Sequence, residues 1–147
     1  SDFRLSEEKK LVERLFREVN NRTGLAVYGL KDILNLLKNN VVDILLITDD
    51  TNLHRLEVVC NRCKNIQEEI VEQVKLIPRK TAILGLPCPA CKSMDQTAIS
   101  QDIVDYLSTV AIPVGTKIEI ISGLSEYGVM LSSLGKTAAI LRYNPNL

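Results

Sequence analysis

Two Cys-x-x-Cys hooks, Cys60-Asn61-Arg62-Cys63 and Cys88-Pro89-Ala90-Cys91, hold all four cysteines of this 147-residue chain. A Cys-x-x-Cys turn aims two sulfurs at one point about 2.3 Å away, so two such turns complete a tetrahedral four-thiolate zinc site. The 24 residues between the hooks exceed the usual gap slightly, which fits a ribbon with a long hairpin between its knuckles. Two other chemistries use this residue set. Disulfides need an oxidising compartment, for which nothing in the sequence argues. A redox dithiol uses one hook opening a helix after a strand, not a matched pair. The expected metal ligands are therefore Cys60, Cys63, Cys88 and Cys91, with structural zinc as the cofactor.

On either side of the hooks the pattern is that of a packed α/β chain. Ser6 with Glu7 and Glu8 reads as the N-cap and acidic first turn of a helix whose apolar stripe is Leu11, Val12, Leu15, Phe16 and Val19. Gly24 closes it, and Ala26-Val27-Tyr28 reads as a short strand. Leu30, Ile33, Leu34 and Leu37 mark a second amphipathic helix. The run from Val41 to Thr48 is almost continuously apolar and β-branched, as in a central strand covered on both faces. Leu56 to Val59 reads as a strand entering the first hook, and Ile70 to Leu76 as part of the hairpin between hooks. Ile99, Ile103, Val104, Leu107 and Val110 give a helical stripe with Ser100 as the expected cap. Lys117 to Ser122 alternates as a strand, Ser125-Glu126 opens a last helix through Leu134, and Thr137 to Tyr143 returns to the sheet. This order predicts a three-layer α/β sandwich with a mixed central sheet, formed by residues 1–55 and 95–147. Residues 56–94 form an inserted zinc-ribbon minidomain.

Composition narrows the function. The 18 Lys and Arg balance the 18 Asp and Glu, so no overall field draws in nucleic acid or an anionic membrane. Between Cys60 and Cys91 five basic residues face three acidic ones, and four thiolates on zinc add −2, leaving the insertion near neutral. It has no aromatic residue to stack on a base. No apolar run approaches 18 residues, and the chain does not begin with Met, so a cytosolic protein or an excised piece of one is expected. His54, the only histidine, reads as an imidazole at a loop or strand end. Asp49-Asp50 follows a buried strand, where α/β sheets bind ligands, but no third carboxylate is near, so it reads as a solvated helix-entry turn. The seven glycines are scattered singly, and a zinc closed by four sulfurs has no open position for water. No catalytic residue and no enzyme activity is expected.

Three segments together resemble the C-terminal domain of archaeal class-1 peptide-chain release factors: Glu8 to Phe16 with Thr23-Gly24 and Tyr28-Gly29; Val42 to Ile47; and Ser125-Glu126, Gly128, Gly135 and Ala138 to Tyr143. The paired hooks resemble the zinc-bearing minidomain of those proteins. Leu134-Gly135-Lys136-Thr137 departs from the family's more usual glycine pair. The resemblance implies a part in translation termination, with stop-codon reading and the Gly-Gly-Gln hydrolysis loop in other domains; this chain has no two adjacent glycines. It implies partners as well: a translational GTPase of the elongation-factor-1-alpha type, a recycling ABC ATPase, and the ribosome through the full-length factor. The GTPase surface carries over to Lys10–Val19 and Ile140–Tyr143, with Arg14, Phe16, Arg142 and Tyr143 as the expected contacts. Two alternatives share the body. The ribosome-rescue relative generally lacks the cysteine minidomain. A kink-turn-binding ribosomal protein uses a Gly-x-Asn-Glu turn where this chain has Tyr28-Gly29-Leu30-Lys31-Asp32.

Overall fold

The computed structural model describes residues 2–147, with side chains from residue 3 onward. Two compact units emerge, one built from the chain up to Thr51 together with Leu107–Leu147, the other from Asn52–Tyr106.

The first unit is built on β2 (Val42–Thr48), in which every residue but Asp43 is buried. Its four-stranded sheet has the order β1-β7-β2-β6, with β1 (Ala26–Tyr28), β6 (Lys117–Ile121) and β7 (Thr137–Leu141). The sheet is mixed: β2 runs parallel to β6 and antiparallel to β7, which pairs antiparallel with β1. The β2–β7 register slips between Val42 and Ile44, which lets the half-exposed Asp43 bulge out of the ladder. Side chains alternate across a strand, so Ile44 and Leu46 face one side and Leu45 and Ile47 the other. On the first side they pack with Ile121, Ala138 and Ile140 against Val12 and Leu15 of α1 (Asp2–Asn20) and Leu131 of α5 (Glu126–Ser132). Helix α2 (Leu30–Lys38) buries Ile33 and Leu37 completely and contacts β1, β2 and β7. Each such side chain withdrawn from water contributes about 1.5–3 kcal/mol before entropy is charged against it.

Local chemistry fixes the start of α5. Ser125 Oγ accepts the Gly128 amide at 3.0 Å, a helix N-cap. Gly128 has to be glycine, because a Cβ there would sit 1.8 Å from the Ser122 carbonyl oxygen. Helix α1 starts at Asp2 and not after Ser6, which lies inside it. The Arg4–Glu8 pair at 3.6 Å, one turn apart, is the kind of contact that carries the helix through that first stretch.

The second unit is a three-stranded antiparallel sheet, β4-β3-β5, with β3 (Leu53–Cys60), β4 (Ile66–Glu72) and β5 (Gln96–Asp102). Helix α3 (Leu76–Leu84) lies on it, with Leu76, Ile83 and Leu84 against Leu56, Val58 and Val71. The expected hairpin through Leu76 therefore stops at Glu72. Pro78 falls in the first turn of α3, where its missing N–H has no partner to lose. The expected helix from Ile99 is also corrected. Residues 96–102 pair with β3 along their whole length, and α4 (Ile103–Ala111) starts only afterwards. Asp102 provides its cap, accepting the Val104 amide at 2.9 Å, while Ser100 sits inside the strand. On β3, Arg55 pairs with both Glu57 and Glu68 and lies 4.6 Å above the Tyr106 ring. No helix among the described residues is long and apolar enough to cross a membrane.

Candidate metal centre

The four cysteines converge. Their sulfurs all lie within 4.8 Å of one another, with Cys60–Cys91 at 3.5 Å and Cys63–Cys88 at 3.7 Å. A tetrahedral zinc with bonds of about 2.3 Å has sulfur–sulfur edges of about 3.8 Å. The donor set and its spacing fit that ion.

The two hooks arrive at this geometry by the same backbone path. In the first, the Lys64 amide donates to the Cys60 carbonyl at 2.9 Å and the Cys60 amide to the Asn65 carbonyl at 2.9 Å. In the second, Lys92 donates to Cys88 at 2.8 Å and Cys88 to Ser93 at 2.8 Å. The residue after each second cysteine is left-handed, with φ of 67° at Lys64 and 68° at Lys92. That turn carries each chain away from the sulfur pair. The hooks are clamped together through Asn61, whose amide donates to the Asp95 carbonyl at 2.8 Å. Its side chain donates to Asp95 Oδ1 at 3.0 Å and Thr97 Oγ1 at 2.9 Å. Neither the lysine turns nor the Asn61 clamp was read from the sequence; the repeated Cys-x-x-Cys-Lys was the available signal.

The thiols prepare for a cation unevenly. The Cys63 amide, 3.4 Å from Cys60 Sγ, leads in holding the Cys60 thiol down to about 6, helped by the Arg62 amide. The Cys91 amide leads in lowering Cys88. At Cys63 the Asn65 amide pulls downward, but local desolvation of the sulfur among its neighbours and the hydrogen-bonding sulfurs of Cys91, Cys88 and Cys60 outweigh it and push the thiol up to about 12. Four thiolates this close repel, and a divalent ion removes the repulsion while displacing the remaining protons. Cys60 and Cys88 are buried, whereas Cys63 is exposed.

The other expected contacts are not gathered at this centre. Phe16 is half-buried and packs on the core of α1, α5 and the sheet, and Arg14 is half-buried on the same helix. Ile140 and Leu141 are buried. Arg142 and Tyr143 lie just past the end of β7 and are exposed, Arg142 donating to the Val114 carbonyl at 3.1 Å. His54 lies within β3, its Nδ1 buried with no hydrogen-bond partner. Asp49-Asp50 enters β3 and not a helix. Asp49 Oδ1 accepts the Gly123 amide at 2.9 Å, and Lys136 lies 3.6 Å from the Asp50 carboxylate. The Thr48 hydroxyl and the Lys136 ammonium hold Asp50 below its ordinary value.

The family described as eRF1 domain 3 matches residues 5–145. Peptide chain release factor subunit 1 of Methanocaldococcus jannaschii is 31% identical over 144 residues. That alignment covers 97% of this chain but only 34% of the relative, so the chain spans about a third of its length. Among solved structures, the C-terminal domain of the peptide chain release factor from Methanosarcina mazei superposes with a TM-score of 0.82 at 26% identity. The match covers 99% of this chain and 88% of that one. A structure described as ribosome-bound archaeal Pelota and ABCE1 shares the fold at a TM-score of 0.54 and 18% identity, covering 97% of this chain and 27% of that one.

Proposed function

The chain belongs to the eRF1 domain 3 family, and from that membership we propose that it acts in translation termination as the C-terminal domain of a peptide-chain release factor. In this role it docks a translational GTPase of the elongation-factor-1-alpha type and a recycling ABC ATPase on the ribosome. The observation that carries the reading is likeness along the whole chain to a release-factor C-terminal domain, with a TM-score of 0.82. The ribosome and an ABC ATPase as partners draw support from the shared fold of the Pelota chain described as ribosome-bound with ABCE1.

The body acts as a three-layer α/β sandwich of the kink-turn-binding ribosomal-protein kind, a reading supported by a β2 that is buried on both faces. Its work is recognition, in the cytoplasm. Stop-codon reading and peptidyl-tRNA hydrolysis belong to the remaining two-thirds of a full-length factor; the chain carries no Gly-Gly-Gln. Cys60, Cys63, Cys88 and Cys91 hold a structural zinc, a reading supported by four sulfurs within 4.8 Å. Bound there, the ion supplies cross-linking of the two hooks, and with four protein ligands it leaves no position for a reacting water. On the partner surface, Arg142 and Tyr143 are exposed and of the residue types that anchor interfaces. Arg14 and Phe16, both half-buried on α1, complete the proposed contact set.

The test is calorimetric titration of the chain with an archaeal elongation-factor-1-alpha-type GTPase loaded with a non-hydrolysable GTP analogue. One-to-one saturable binding is expected; no binding at tens of micromolar would overturn the docking role.

A further inference from the structure

Glu8 is a carboxylate in a core position. It precedes Val12 and Leu15 of α1 by four and seven residues, and both of those are fully buried. Its own side chain is 7% exposed, and although Arg4 lies 3.6 Å from Oε1, Oε2 is buried with no hydrogen-bond partner. A buried, half-satisfied carboxylate is costly and is seldom retained without a cation to meet it.

Glu8 lines a cleft of about 550 Å³ between the first turns of α1 and strand β6. The wall contributed by β6 is a sheet edge, since β2 is its only neighbour among the described residues. The Ile121 carbonyl accepts from Asp49 on the β2 side, while the Ile120 carbonyl accepts from Arg4 at 3.2 Å on the other. Backbone groups alternate along a strand, so Ile118 presents its N–H and carbonyl, and Ile120 its N–H, to the open edge. Glu119, two residues before the core residue Ile121, faces the same side as α1 and also lines the cleft, as does Glu7. Three carboxylates and the Arg4 guanidinium line the cleft, with Phe3 and Leu11 as an apolar flank. Lys10 pairs with Glu7 at 3.4 Å, which leaves two carboxylates, Glu8 and Glu119, beside the one guanidinium.

We propose that this cleft docks an extended, lysine- or arginine-bearing segment of a protein partner, which pairs with the edge of β6 and sets one cationic side chain against Glu8. The open backbone edge selects an extended chain over a helix, and the excess of carboxylate selects a cationic side chain. The site involves neither the cysteine centre nor Arg142 and Tyr143.

The probe is a blocked hexapeptide of alternating valine and lysine, compared with the same peptide carrying glutamine for each lysine, followed by amide NMR on the 147-residue chain. The lysine peptide is expected to shift the Ile118 and Ile120 amides and to bind at least tenfold more weakly to Glu8→Gln. The glutamine peptide is expected to bind weakly and equally to both proteins. Ile118→Pro removes an outward N–H while sparing the β2 ladder, and is expected to abolish binding. The proposal is overturned by equal affinity of wild type and Glu8→Gln for the lysine peptide, or by no binding at millimolar concentration. Displacement by spermidine as strong as by the peptide would make the cleft a small-cation site and overturn it too, as would self-association of the chain through β6.

Discussion

Lys64 and Lys92 occupy one structural position twice: each follows the second cysteine of its hook, each takes φ near +68°, and each donates its amide to the first cysteine's carbonyl. Left-handed backbone costs an ordinary residue about 1–2 kcal/mol, which glycine avoids while losing more freedom on folding. Lys64→Gly and Lys92→Gly are each expected to raise stability by about 0.5–1 kcal/mol, and Lys92→Val to lower it. Denaturant unfolding of the zinc-loaded chain checks the sign. A loss of stability in both glycine variants would mean that the lysine side chains contribute more than the backbone costs.

The metal reading makes a regional prediction. Zinc should measure one per chain, and its removal should leave the unit of Asn52–Tyr106 resting mainly on the small cluster of Leu56, Val58 and Val71 beneath α3. A core that size does not hold without its ion. After chelation, amides of β3, β4 and β5 should exchange at least a hundredfold faster, while β2 and β7 keep their protection. Undiminished protection in β3 would rule out a structural role for the ion.

At the C-terminal end of β2, Asp50 is paired with Lys136 and its pKa is lowered from 3.8, first by Thr48. A depressed carboxylate contributes stability above its unfolded value, and that contribution is lost as pH falls through the folded value, below 3.8. Asp50→Asn should therefore be less stable than wild type at neutral pH and should lose less on acidification to pH 2. Parallel acid-unfolding curves for the two proteins would contradict this.

Helix α5 offers a graded pair. Ser125→Ala removes the N-cap and should cost about 1 kcal/mol. Gly128→Ala meets a backbone oxygen at 1.8 Å, which no side-chain rotation relieves, and should cost about 2 kcal/mol or more. Thermal unfolding of both variants orders them.

Much of this architecture was legible in the residues, and the exceptions have physical causes. The apolar β-branched run of β2 and the Ser125 cap carry local signals that their surroundings reinforce. Segment 96–102 was misread because Ile99 continues the helical spacing of Ile103 and Leu107. Its pairing with β3 is a tertiary fact, and Ile99 is in truth 56% exposed. Helix α3 was hidden because Ile77 and Ile83 are β-prone residues; the sheet beneath Ile83 and Leu84 decides the outcome. At the centre, the hooks were visible from spacing alone. The left-handed lysines were not, since lysine carries no preference for that conformation. Burial of Glu8 was equally hidden, because an acid beside Glu7 reads as a solvated first turn.

The docking surface is where sequence and structure together sharpen the account. Phe16 packs against the core, so its removal would test stability more than contact. Arg142 and Tyr143 are exposed past the end of β7, and they can be truncated without opening the sheet. The most direct measurement is the affinity of Arg142→Ala/Tyr143→Ala for the GTP-analogue-loaded elongation-factor-1-alpha-type GTPase, beside the wild-type chain, with unfolding curves confirming that both are folded. A loss of at least tenfold, about 1.4 kcal/mol, is the predicted result. Unchanged affinity in a folded variant would contradict the assignment of this surface.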